Sequence, residues 1–156
     1  QSRGLGDVYK RQAHEFEELS GDLESKLHLL TEHILLDQNQ VEMQVNLKLI
    51  SSNEMIKLNG NFRDKELDTN VLSFPVGEDI QGIAGELGDI AMSFAYIQSE
   101  SQSLNRDIED HMMHLLAHGI LHLFGFDHTE EKDANIMEAK EIKYLEFFNI
   151  ANPYLI

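Results

Sequence analysis

His118, His122 and His128 stand in the stretch HGILHLFGFDH at spacings of four and six residues, with Gly125 between the last two. Imidazole is the commonest side-chain ligand for a transition metal, and two of them four residues apart on a helix lie one above the other on the same face. Gly125 can take the left-handed conformation that ends a helix, after which His128 can swing back to the same point. Three neutral imidazoles and one open position describe a catalytic zinc site, because a structural site would be closed by a fourth protein ligand. The expected load is one Zn²⁺ per chain.

The spacing H-x-x-x-H-x-x-G-x-x-H is that of the metzincin metalloproteases with one letter changed. Those enzymes carry Glu directly after the first histidine as general base, and here that position is Gly119, which can neither take nor give a proton. A metzincin-like histidine helix is therefore expected without its peptide chemistry. Zinc lowers the pKa of bound water toward about 7, so hydroxide can form without a carboxylate base. His111 and His114 continue the same helical stripe. For His111 alone, pairing with a carboxylate or with water is preferred; for His114, a proton shuttle and simple packing are equally open. Asp127 could orient a ligand imidazole or face water. His28 and His33 have no partner pattern and read as ordinary helix residues.

These residues need a scaffold. Phe16, Leu19, Leu23, Leu27, Leu30 and Ile34 recur at helical spacing, and VEMQVNLKL (41–49) alternates apolar and polar residues as a half-buried strand does. SSNEMIKLNGNFR predicts a short helix from Ser52 or Asn53 to Asn59-Gly60. TNVLSFPV predicts a short strand stopped by Pro75. A loop with Gly77, Gly82 and Gly85 leads to a strand in ELGDIAMSF. Helices are expected from Phe94 to about Ser101, from about Asn105 to Phe124, and from about Thr129 to Phe148, the last with an acidic first turn that suits its dipole. The fold class is α+β, a small mixed β-sheet packed with several α-helices.

A chain of 156 residues with 42% apolar content fits one domain. The first dozen residues, QSRGLGDVYKRQ, lack periodicity and hold three of the twelve basic residues, so residues 1–12 read as a non-native leader before a single zinc-hydrolase domain at 13–156. No run is apolar enough to span a membrane, no secretory signal is visible, and cysteine is absent, which excludes disulfides and thiolate metal sites. The cytoplasm is the expected location. A formal charge of −16 excludes a broad basic surface that grips nucleic acid.

Beyond the histidines, LNGNFRDKELDTNVLSFP (58–75), ELGDIAMS (86–93) and HLLAHGILHLFGFDH (114–128) together resemble the YbeY-type endoribonucleases, also described as rRNA maturation factors. The resemblance implies zinc held by His118, His122 and His128, and Arg63 as a functional arginine facing the site. It implies a bacterial enzyme that processes the 3′ end of 16S rRNA and serves ribosome quality control. Its partners would be rRNA and the small ribosomal subunit, with ribosomal proteins or a ribosome-assembly GTPase alongside. One departure is that the family begins with a β-strand where this chain has its leader. Taken alone, Arg63 reads as a surface salt bridge; in the family it would hold a phosphate or offset transition-state charge. Asn70, Ser73 and Asp89 are expected to tie the loop and sheet together. Spacing alone stops at a zinc hydrolase, leaving open a peptide or small-molecule substrate, or a ribosome-associated binding module with a structural metal. If RNA is the substrate, either a local positive cleft or a delivering partner must overcome the acidic balance.

Overall fold

Leu23, Leu27, Leu30 and Ile34 form the buried stripe of helix α1 (Gly21–Asp37). The structure is a computed structural model that describes residues 21–76 and 85–155. The leader, Phe16, Leu19, Gly77 and Gly82 lie outside the described residues. After α1 the chain takes a left-handed step at Asn39 and a second tight turn in which the Met43 amide donates to Gln40. Strand β1 (Gln44–Ile50) therefore starts three residues later than the alternation at Val41 predicts, and Val41 itself is exposed. Asn46, expected on the polar face, is buried and donates to Glu86 and Asp89.

Helix α2 (Ser52–Arg63) opens on a capping box between Ser51 and Glu54 and ends on Asp64 in the left-handed region. It runs through Asn59-Gly60, where the sequence predicts a stop. The reason is packing: Asn59 is buried and its side-chain amide holds the Leu67 carbonyl at 2.8 Å, while a Cβ at Gly60 would lie 3.1 Å from Glu66. The pair fastens the returning loop instead of turning the chain, and the extra turn carries Arg63.

Strand β2 (Val71–Pro75) and strand β3 (Glu86–Ser93) complete the described sheet in the order β1-β3-β2, with β1 parallel and β2 antiparallel to β3. Helix α3 (Phe94–Ser103) comes directly after β3. Asn105 then takes a positive φ, so helix α4 (Ile108–Leu123) begins later than the apolar pattern predicts, capped by the Asp107 carboxylate on the Asp110 amide. Helix α5 (Glu131–Phe147) closes the fold. The architecture is the expected α+β class, with helices packed on one small mixed sheet.

Helix α4 is buried almost all round, against β2 and β3 on one side and α1, α3 and α5 on the others. It packs tightly on the sheet at Gly119, where a Cβ would meet Ile90 Cδ1 and Ser73 Oγ at 3.1 Å each. The Ser73 hydroxyl donates to the Gly119 carbonyl at 2.9 Å. Helix-on-sheet packing therefore favours glycine at position 119. No described helix is long and apolar enough to cross a membrane.

Candidate metal centre

His118 and His122 sit in the last turns of α4, where one helical turn brings their rings to a 4.5 Å centroid separation. Gly125 takes φ +96° just after the helix, and the chain turns back so that the His128 ring lies 5.3 Å from His118 and 5.1 Å from His122. One ring nitrogen from each of the three falls within 4.8 Å of the others. His118 and His122 are half-buried and His128 is exposed at the mouth.

The outer nitrogens decide what the inner ones can do. His118 Nδ1 donates to Glu141 Oε2 at 2.8 Å, and His122 Nδ1 donates to the Phe126 carbonyl at 2.9 Å. Both acceptors lack a proton, so each ring carries its own on Nδ1 and presents a bare lone pair at Nε2. These two Nε2 atoms face each other at 3.1 Å. Facing lone pairs repel unless a cation lies between them, and two nitrogens on one tetrahedral zinc are separated by about 3.3 Å. The donor set fits a divalent, imidazole-preferring metal. Burial above all, and then the neighbouring His118, push the His122 pKa below its ordinary value, which keeps it the neutral ligand that a metal requires.

Arg63, from the end of α2, lines the same open cleft of about 510 Å³, together with Thr69, Asn70, Ser73, His114, Tyr154 and the three clustered histidines. Among the described residues lining it there is no carboxylate, in a chain with 28 of them. Asn70 is held by Glu100 Oε1 at 2.9 Å, and the same oxygen accepts from His111 Nε2 at 2.8 Å. His111 is thus a buried, carboxylate-paired residue away from the cluster. His28 pairs with Glu32 on the surface of α1, and His33 stacks on Phe147. Asp127 accepts from the Thr129 amide and hydroxyl, bracing the exposed turn that carries His128.

His114 lines the cleft, yet its Nε2 donates to Glu141 Oε1 at 2.7 Å and its Nδ1 is buried with no partner. Glu141 is the residue that sequence reasoning missed. It is fully buried on α5 and accepts from His114, His118 and the Tyr154 hydroxyl. Burial by itself would raise its pKa, but the hydrogen bonds from His114, His118 and Tyr154 outweigh it and hold the carboxyl at about 2. A signal existed: Met137, Glu141, Tyr144 and Leu145 form the buried stripe of α5, so a glutamate occupies a position that the helical period assigns to the core.

A three-imidazole centre with an open side, an arginine in the same cleft and an α+β scaffold define a metallohydrolase. The sequence profile described as Endoribonuclease YbeY matches residues 7–149. Endoribonuclease YbeY of Francisella tularensis subsp. holarctica (strain FTNF002-00 / FTA) is 39% identical over 117 residues, 72% of this chain and 72% of that protein. The protein of the same description from Francisella tularensis subsp. novicida (strain U112) is 38% identical, with the same coverage. The solution structure of TM1509 from Thermotoga maritima superposes with a TM-score of 0.59 and 30% identity over 81% of each chain. This chain belongs to the endoribonuclease YbeY family, metal-dependent nucleases that hydrolyse phosphodiester bonds and act in rRNA processing.

Proposed function

We propose that this chain is a zinc-dependent endoribonuclease of the bacterial cytoplasm that matures the 3′ end of 16S rRNA and contributes to ribosome quality control. Its proposed partners are the small ribosomal subunit and its proteins, or a ribosome-assembly GTPase. His118, His122 and His128 would hold one Zn²⁺. Such an ion supplies Lewis acidity, which polarises a phosphoryl oxygen and makes water nucleophilic at neutral pH.

The observation that carries the reading is the charge pattern of the cleft. The chain as a whole repels polyanions, yet the described cleft lining holds Arg63 and four histidines with no acidic side chain. This supports a local site for one phosphodiester group where extended backbone binding is lacking, and it leaves delivery of the RNA to a partner. Arg63 binds a phosphate oxygen and offsets the charge that develops on it. His114 keeps its Nε2 proton directed to Glu141, and Asp127 holds the turn from which His128 reaches the centre.

The test is metal content by mass spectrometry for wild type and His122→Ala, paired with cleavage of a structured RNA fragment by the same preparations. About one zinc per chain, lost together with cleavage in the variant, is expected. Full cleavage by metal-free His122→Ala would overturn the proposal.

A further inference from the structure

We infer that Glu141 is the positioning residue of the metal centre: it fixes His118 with its Nε2 lone pair turned toward the cluster and supplies the negative charge that a dication there offsets. His114 and Tyr154 hold it in that role. The inference rests on the metal reading above.

Three observations carry it. First, Glu141 has no exposed surface, and its hydrogen-bond partners are two imidazoles and a phenol. Those are donors without a fixed charge, and among the described residues no lysine or arginine forms an ion pair with it. A buried anion whose hydrogen bonds are satisfied but which faces no fixed positive charge favours a cation nearby. The nearest built place for one lies across the His118 ring, whose other nitrogen faces the cluster.

Second, the tautomer is forced. A carboxylate can only accept, so His118 must carry its proton on Nδ1 and leave Nε2 bare. Third, the far oxygen of Glu141 is clamped by His114 and Tyr154, which come from two different segments. The buried, partnerless Nδ1 of His114 is tolerable as a lone pair and much less so as an N–H, so Nε2 is the protonated nitrogen that faces Glu141. Tyr154 reaches in from the segment after α5 and lines the cleft at the same time. The set therefore ties the C-terminal segment to the orientation of one ligand.

Glu141→Gln separates positioning from plain packing. It preserves shape, but its amide N–H groups would confront one of the imidazoles that now donate to it. Where that amide faces His118, the ring can keep a partner only by moving its proton to Nε2, where the metal binds. Zinc affinity of the full-length protein would be measured by competition with a chromophoric chelator, alongside thermal unfolding of the metal-free protein and the absorption spectrum of the Co²⁺ form. The expected result is zinc binding about 10- to 100-fold weaker and an altered Co²⁺ spectrum, together with a lower melting temperature of the metal-free protein, since the charge-assisted hydrogen bonds from His114, His118 and Tyr154 are weakened. Wild-type zinc affinity together with a lower melting temperature of the metal-free protein would make Glu141 a packing residue and overturn the inference. If Glu141→Gln does not fold, Tyr154→Phe decides, because that residue is partly exposed and only its hydroxyl is lost. A several-fold weaker zinc affinity supports the inference, and an unchanged one sinks it. Wild-type protein that binds no zinc would instead defeat the proposed function itself, a distinguishable result.

Discussion

Replacing Gly119 with Glu restores the letter that the histidine motif lacks relative to the metalloproteases, and the packing around that position sets the cost. The first added atom would lie 3.1 Å from both Ile90 Cδ1 and Ser73 Oγ, in a helix already hydrogen-bonded to β2 through Ser73. Overpacking of this kind costs about 1–3 kcal/mol. An alanine recovers about 0.8–1 kcal/mol of helix propensity, so Gly119→Ala should be destabilised by about 0–2 kcal/mol. Glutamate adds a carboxylate beside the sheet, with a desolvation cost of about 1–3 kcal/mol if unpaired. Its total is about 1–5 kcal/mol, a fall in melting temperature of roughly 2–20 °C for a domain of this size. Thermal and urea unfolding of metal-free wild type, Gly119→Ala and Gly119→Glu would show the graded loss, and a peptide panel should show no hydrolysis by any of them. A Gly119→Glu protein as stable as wild type that cleaves peptides would refute the packing account of this glycine.

Arg63 ends an exposed turn of α2, so Arg63→Ala should leave zinc content and melting temperature unchanged while RNA cleavage falls by about 100-fold or more. Equal cleavage rates for the two proteins would remove Arg63 from the site. If zinc binds the folded chain alone, a concentration 100 times its Kd should stabilise by about 2.7 kcal/mol; the metal-free protein should still unfold cooperatively, because the core is built around α4 without the cluster. Non-cooperative melting after chelation would point to a structural metal. The hydrogen bond from Tyr144 first, and then that from Lys143, lower the Asp37 pKa. A depressed folded value means stability fully present above the unfolded value of about 3.9 and lost as pH falls through the folded one. The difference in melting temperature between wild type and Asp37→Asn should therefore be constant from neutral pH to about 5 and narrow progressively as pH falls below about 4; a gap that widens with acidification would contradict this.

The histidine cluster was legible because it is local. Four residues on a helix and a glycine after it fix directions without reference to the rest of the chain, and Gly125 takes the backbone conformation that its type allows. The apolar stripe of α1 and the existence of strand β1 were legible for the same reason, although the burial along β1 does not alternate as its residues do. Element ends were less so. The Asn59-Gly60 pair reads as a turn, yet a buried hydrogen bond to Leu67 carries the helix on to Arg63. Asn46 reads as a solvent-facing strand residue, yet it is buried against two acidic groups.

The sequence by itself determined that three imidazoles can converge, that no thiolate can join them, and that a general base is missing from the motif. Only the tertiary structure decided what a side chain at that position would meet, since no local rule brings Ile90 and Ser73 to within a methyl group of Gly119. Only the tertiary structure, too, brought Glu141 and Tyr154 from 23 and 36 residues beyond His118 to fix its ring. The physical reason is the same in both cases. Periodicity sets the direction in which a side chain leaves its own helix, whereas the identity of what it meets depends on how separate helices and strands pack.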